Sequence, residues 1–209
     1  MTILDDQVVI NEAERLLGDN TLGADAKLLQ LRELVGKDRR PKWRVTTTLE
    51  KFEGDWTSEQ IARGEAMPVE APSVRHGNLL TIGGCSALWE RLVGTGVTAF
   101  SNSTAVIGVG DSSTASADTQ TDLQASTNKT YKGMDATYPA HTDSTSTAGA
   151  KTVTFRATFG TSDANYAWNE WGVGNGTTTM GRMLNRKVES LGTKPNTQTW
   201  QLTVTIALA

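Results

Sequence analysis

Residues 200–208 read WQLTVTIAL, and residues 153–159 read VTFRATF. The apolar side chains occupy the even positions of the first stretch and the odd positions of the second. Because successive side chains of a β-strand point to opposite faces, each stretch predicts a strand with one buried and one solvated face, as in antiparallel sheets. The residues predicted to face the core are Phe155, Phe159, Trp200, Leu202, Val204 and Ile206.

Further strand patterns lie on both sides of these two stretches. They cover residues 43–49, 79–82, 105–109, 166–173 and 180–188. A short helix is predicted over 86–93, and the Ser- and Thr-rich segments 112–121 and 141–150 are predicted loops. The fold class predicted from these elements is mainly β: an antiparallel β-sandwich or jelly-roll-like C-terminal domain.

Charge divides the chain into two parts. The first 76 residues carry 11 of the 20 Lys and Arg and 14 of the 23 Asp and Glu, which leaves nine of each sign for the rest. Apolar spacing predicts two short N-terminal helices over 4–17 and 25–35, and residues 50–77 are predicted to form an extended arm. We therefore expect a helical attachment segment over 1–41, a strand and extended arm over 42–77, and a β-rich domain over 78–209.

Bulk composition argues against several classes of partner. The formal net charge is −3, so no general electrostatic attraction to nucleic acid or to an acidic membrane surface is expected. A single cysteine, Cys85, excludes an intrachain disulfide and a cysteine-based zinc site. No apolar run is long enough for a transmembrane helix, and the N-terminus lacks the pattern of a secretory signal. The expectation is a soluble protein made in the cytoplasm, without a cofactor.

Residues suited to catalysis are few. The imidazole bases are His76, at the end of the predicted arm, and His141, in a polar loop tip. Cys85 follows two glycines at a strand-to-helix turn, and we expect it to serve there as a small buried residue rather than as a reactive thiol. The Gly108–Ser113 segment lacks the lysine of a P-loop, and residues 110–113 are predicted to be a tight turn with Asp111 bonding nearby amides. We expect no enzymatic activity.

Three sets of residues leave a binding role open. Asp111, Asp118 and Asp122 could converge on a calcium ion, although their spacing does not fit an EF-hand. Glu170 lies between two tryptophans and is either an acid with a raised pKa, part of a sugar-binding platform, or the partner of an arginine. The three candidate partners are Arg156, Arg182 and Arg186. The aromatic residues that could contact a ligand or another subunit are Tyr166, Trp168 and Trp171.

Several motifs in residues 78–209 resemble accessory virion proteins of tailed bacteriophages, including capsid decoration, tail and fibre types. The motifs are LWERLVG (88–94), FSNS (100–103), IGVGDSSTA (107–115), TQTDLQA (119–125), KGMDATYP (132–139), FRATFG (155–160), NYAWNEWG (165–172), MLNRK (183–187) and LGTK (191–194). The resemblance implies a structural protein of the virion and brings no catalytic residues with it. It does not extend to the N-terminal part.

The function expected from these observations is that of a self-associating accessory subunit on the capsid or tail, with its N-terminal part docking to the particle. The expected partners are other copies of the chain, as the homotrimer that the resemblance implies, and other virion proteins. The alternative is a receptor- or glycan-binding tail fibre adhesin, which exposure of Tyr166, Trp168 and Trp171 would favour. A glycan hydrolase would require paired carboxylates in a cleft, and the sequence shows no convincing pair.

Overall fold

A computed structural model describes residues 43–208 together with Arg15, Gly18, Gly23 and Lys27. The chain divides into two units, Met1–Pro41 and Lys42–Ala209, and the fold below is that of the second unit. The helices predicted over 4–17 and 25–35 lie outside the described residues, apart from Arg15 and Lys27, which are helical. None of the helices in the described part of the chain is long and apolar enough to cross a bilayer.

The unit consists of ten strands, two short α-helices and one 3-10 turn. In chain order these are β1 (Trp43–Glu53), α1 (Ser58–Ala62), β2 (Ser73–His76), β3 (Leu79–Leu80), α2 (Ile82–Leu92), β4 (Val106–Gly110), β5 (Lys129–Gly133), β6 (Ala140–His141), the 3-10 turn (Ala148–Lys151), β7 (Thr152–Phe159), β8 (Ala167–Gly176), β9 (Thr179–Thr193) and β10 (Gln198–Leu208).

The strands form two antiparallel five-stranded sheets that pack as a sandwich, which confirms the predicted fold class. Sheet A has the strand order β2-β1-β10-β7-β6, and sheet B has the order β3-β9-β8-β4-β5. Apolar side chains from the facing sides of both sheets form the main core. Its largest members are Phe155, Phe159, Trp168, Trp171 and Trp200.

Strands β1, β7 and β10 show how the alternating sequence produces sheet A. Residues 43–53 pair in register with residues 198–208, and residues 152–159 pair with 200–207 on the other side of β10. Every residue predicted to face the core from β7 and β10 is buried. Trp168 of sheet B lies between two of them, with ring centroids 4.8 Å from Phe159 and 4.9 Å from Trp200, both edge to face. Such aromatic contacts add to the gain from area burial.

Gln201 departs from the alternation, because it lies on the outer face of sheet A but is only 2% exposed. The segment after β5 covers it. The carboxylate of Asp135 accepts hydrogen bonds from Thr158 N (2.9 Å), from Arg156 Nε (2.9 Å) and from Gln201 Nε2 (3.3 Å). A buried polar face is stable when its groups are hydrogen-bonded in this way. The prediction of a uniformly solvated outer face is therefore wrong at this position.

Residues 50–77, predicted as an extended arm, lie along sheet A of their own chain. Residues 50–53 complete β1, a capping box at Thr57 begins α1, and β2 pairs with β1 from Thr46↔His76 to Leu49↔Ser73. Strand β10 is central in the sheet, with β1 on one side and β7 on the other. Both edges of the C-terminal strand are thus covered within the chain, and neither requires an arm from another subunit.

Candidate functional site: an exposed apolar helix face

Helix α2 is fixed to strand β9 by its first turn. Thr81 is the N-cap, and its hydroxyl accepts from Gly84 N (3.0 Å) and donates to the carbonyl oxygen of Met183. A Cβ on Gly84 would lie 2.3 Å from the carbonyl oxygen of Leu184. Only a glycine allows so close an approach, so Gly84 brings the helix directly against the β9 backbone. One side of α2 is therefore committed to the fold.

The opposite side of α2 exposes large apolar residues. Ile82, Trp89 and Val93 follow a spacing of seven and four residues, which places them on one helical face. Trp89 is 60% exposed, and Leu92 is 73% exposed. Leu88 and Leu92 are exposed beside this face, and we define the α2 face by all five residues: Ile82, Leu88, Trp89, Leu92 and Val93. Contiguous exposed apolar surface of this kind marks sites of interaction with other proteins.

Charged groups of both signs border the α2 face. Glu90 accepts from the Ser86 hydroxyl (2.7 Å) and pairs with Arg182 of β9 (3.2 Å). On the next residue, the Arg91 guanidinium donates to the carbonyl oxygen of Val97 (3.3 Å). An apolar centre with a polar border is the usual anatomy of a protein–protein interface.

The sequence indicated a helix here but not its exposed face. The predicted helix began at residue 86, and Ile82 was assigned to a strand, whereas α2 begins at Ile82 and includes Cys85. The available signal was the pair Gly83-Gly84 followed by Ala87. Small residues at this spacing form a side that can approach another backbone closely, which leaves the bulky residues for the outer side.

The aromatic residues predicted to contact a ligand do not form an exposed surface. Trp168 and Trp171 are fully buried, with their indole N–H groups donating to Ala164 O (2.9 Å) and to Thr47 Oγ1 (3.1 Å). Tyr166 is partly buried, and burial raises its pKa to about 12. Both tryptophans belong to the sandwich core and are inaccessible to a surface ligand.

Glu170 forms an ion pair with Arg186, which is one of the three roles predicted for it. The guanidinium Nη2 lies 2.6 Å from the Glu170 carboxylate, and both side chains are fully buried. The same carboxylate accepts from the backbone N–H groups of Gln124 (3.0 Å) and Ala125 (2.7 Å). A buried charge pair is tolerated when further hydrogen bonds satisfy both groups.

Arg186 holds the other end of the same loop. Its guanidinium donates to Gln120 Oε1 (2.8 Å) and to Thr114 O (3.0 Å). The segment 111–128 is thus held against the outer face of sheet B by one ion pair. Gly110 makes room for it, because a Cβ there would lie 2.6 Å from the Glu170 carboxylate. Strand β4 includes Gly110 and no turn forms at 111–113, so the tight turn predicted over 110–113 is wrong.

The three aspartates predicted to share a calcium ion have separate partners. Asp111 accepts from the side-chain amide of Asn128 (2.7 Å), and Asp122 accepts from the Tyr131 hydroxyl (2.6 Å). Asp118 contributes its backbone oxygen to Ile82 N (2.9 Å). In the described residues, no group of three or more His, Cys, Asp or Glu side chains is placed to hold a metal ion.

The remaining candidates for chemistry are dispersed. His76 lies on β2 and His141 on β6, at opposite edges of sheet A, and both are exposed. Cys85 is a free, partly buried thiol in the first turn of α2. The structure therefore does not bring these three residues into one site.

In comparisons with known proteins, no family model matches the chain, and no curated protein and no solved structure matches it significantly.

Proposed function

We propose that this chain is a self-associating accessory subunit of a tailed bacteriophage particle, mounted on the capsid or the tail. The observation that carries the proposal of self-association is the α2 face. The five large apolar residues of the α2 face are exposed, at a free-energy cost that an interface would recover. The assignment to a phage particle rests on the motifs that residues 78–209 share with accessory virion proteins.

The two units take different roles in this proposal. Residues 1–41 dock to the particle, and residues 42–209 form the structural body that associates with other copies. Both faces of sheet B are covered, which supports a structural role. The Glu170–Arg186 pair fixes the polar segment 111–128 on the outer face, which is therefore not accessible to a ligand of an adhesin or enzyme. The protein is expected to carry out no turnover chemistry.

The alternative of a fibre adhesin depended on exposed Tyr166, Trp168 and Trp171. Since both tryptophans are core residues, the adhesin proposal loses the surface on which it was based. We therefore retain the structural subunit as the proposed function.

Localisation of the protein on purified particles tests the proposal directly. An antibody raised against residues 42–209 should label intact particles at regular positions in electron micrographs. Particles from a phage with the gene deleted provide the matched control and should stay unlabelled. The proposal fails if the protein is abundant in infected cells but absent from purified particles by mass spectrometry.

A further inference from the structure

A cleft of about 430 Å³ opens beside α1, away from the α2 face. Residues 55–59 form one wall, and residues 132–136 with 160–163 form the floor and the other wall. This volume lies in the usual range of sites for small ligands. Gly160 keeps the floor open, because a Cβ there would lie 2.9 Å from Oδ1 of Asp55 and 3.8 Å from Oδ2 of Asp163.

Trp56 contributes an apolar surface to the cleft. Its indole N–H donates to the carbonyl oxygen of Glu53 (2.7 Å), and its backbone N–H donates to Thr199 Oγ1 (3.0 Å). The ring is therefore held in place and has no donor left for a ligand. Unlike the tryptophans of the core, Trp56 is partly exposed. What it offers a ligand is the apolar surface of an aromatic ring.

The polar groups of the cleft are held by hydrogen bonds and by one ion pair. Asp55 accepts from Thr161 N (3.0 Å), which lowers its pKa and keeps it ionised. Asp163 accepts from Gly160 N (3.0 Å) and pairs with Lys132 Nζ (2.5 Å). Each carboxylate retains free acceptor positions, and the lysine retains donors. Fixed acceptors and a donor thus lie next to an aromatic ring.

This combination selects a ligand that has an apolar ring face and many hydroxyl groups. A pyranose unit presents C–H groups on one face, which suits an indole, and hydroxyl groups at its edge, which both donate and accept. Ionised acceptors make strong hydrogen bonds to hydroxyl groups. A phosphate would be repelled, because four carboxylates line the cleft beside a single lysine, those of Asp55, Glu59, Asp135 and Asp163.

We propose that the cleft formed by Asp55, Trp56, Lys132 and Asp163 binds a neutral oligosaccharide. One sugar ring stacks on Trp56, and its hydroxyl groups bond to the carboxylates and to Lys132. The inference is independent of self-association, because no residue of the cleft belongs to the α2 face. It gives the particle subunit a carbohydrate-binding site at a position other than the aromatic residues that the sequence suggested.

Saturation-transfer NMR and a glycan array test the proposal on the full chain. The soluble probes are neutral α- and β-linked hexose and N-acetylhexosamine oligosaccharides, each at millimolar concentration. We expect ring protons of at least one probe to receive saturation. Trp56→Ala should weaken that binding roughly fivefold, which corresponds to an aromatic contact of about 1 kcal/mol.

Two further variants keep the outcome interpretable. Ser162→Tyr introduces a bulky ring at an exposed position of the cleft and should also abolish binding. Trp89→Ala removes an exposed tryptophan of the α2 face and should leave binding unchanged. The proposal is overturned if no probe binds, or if binding survives both Trp56→Ala and Ser162→Tyr in folded protein. Loss of binding with Trp89→Ala alone would move the site to the α2 face and would equally overturn it.

Discussion

The buried ion pair of Glu170 and Arg186 gives a specific prediction about stability. Arg186→Met leaves a fully buried carboxylate with two backbone amides and no counter-charge. Breaking a buried pair by removing one partner costs about 3–5 kcal/mol. We expect the free energy of unfolding, measured by urea titration, to fall by that amount.

A surface pair provides the control for this experiment. Arg63 lies 2.6 Å from Glu65, and their side chains are 61% and 43% exposed. Arg63→Met should therefore leave the free energy of unfolding nearly unchanged. The double variant Glu170→Gln with Arg186→Met should cost less than the sum of the two single changes, because it leaves no lone buried charge. Equal effects of Arg186→Met and Arg63→Met would contradict this account of the loop.

Lys194 should make stability depend on pH in the alkaline range. Its side chain is 1% exposed, and its ammonium group donates to Gly160 O (2.7 Å) and Asn165 Oδ1 (2.8 Å). Burial lowers its pKa from 10.5 to about 8, against the opposing effect of Asp163 and Asp55. Between these pH values the unfolded chain binds more protons than the folded one, so the free energy of unfolding rises with pH.

The free energy of unfolding is expected to rise by about 1–2 kcal/mol between pH 7.5 and 9.5, because it changes by roughly 1.4 kcal/mol per pH unit above the folded pKa of Lys194. The measurement is urea unfolding at several pH values in that interval. It stays below pH 10 because the pKa of Tyr166 is raised to about 12, and titration of unfolded tyrosine would reverse the slope. Lys194→Met should remove the rise, whereas Lys151→Met, at an exposed position, should keep it. A slope that is unchanged in Lys194→Met would show that another group causes it.

At the residue scale, periodicity predicted the main core and could not predict the second layer on each sheet. Phe155 and Trp200 follow the alternation and are buried as expected. Gln201 and Glu170 are buried because segments distant in sequence cover them, and local pattern carries no information about that cover. Gly110 offered a signal, since a glycine inside a strand marks a close approach by another group.

Helix α2 provides a test at the scale of an element. Gly83→Ala and Gly84→Ala make the same chemical change in adjacent residues of one helical turn. A Cβ on Gly84 would lie 2.3 Å from the backbone oxygen of Leu184. A Cβ on Gly83 would have Thr81 Oγ1 as its nearest neighbour, at 4.0 Å. Gly84→Ala should therefore destabilise the fold by about 1–3 kcal/mol, as overpacking does.

Gly83→Ala should instead be neutral or stabilising by about 0.5 kcal/mol, because alanine loses less backbone entropy in a helix. Thermal unfolding of both variants measures the difference. If the two glycines respond alike, α2 does not pack on β9 as described.

Elements with their own periodic signal were predicted, and those that depend on a neighbouring strand were not. Strands β7 and β10 alternate over their full length. Strands β2, β5 and β6 are short edge strands, and each pairs with only one neighbouring strand. Their residues favour a strand only because β1, β4 and β7 supply unpaired backbone groups beside them, which single-sequence patterns do not reveal.

At the scale of the whole molecule, the sandwich determines where another copy can bind. Strand β10 is enclosed by β1 and β7, and residues 50–77 lie on their own sheet, so neither the C-terminal strand nor an exchanged arm is available for subunit contacts. The exposed apolar residues of the α2 face remain. The sequence carried only an indirect signal of this candidate interface, the small residues Gly83, Gly84 and Ala87, because the exposed side of α2 depends on which side contacts β9.

Self-association should therefore depend on the α2 face. Leu92→Gln replaces a 73% exposed apolar residue in this face, and Met67→Gln replaces an 80% exposed one outside it. Both changes leave the core intact, so both variants should fold.

Sedimentation equilibrium of the full chain should show an oligomer, a trimer by the resemblance to phage proteins, since a closed ring satisfies every interface. Leu92→Gln should weaken association about tenfold or more, because it places an unpaired amide in an apolar interface, and Met67→Gln should not. A monomer at micromolar concentration would contradict self-association itself. An oligomer that is insensitive to Leu92→Gln would retain association and exclude the α2 face as its cause.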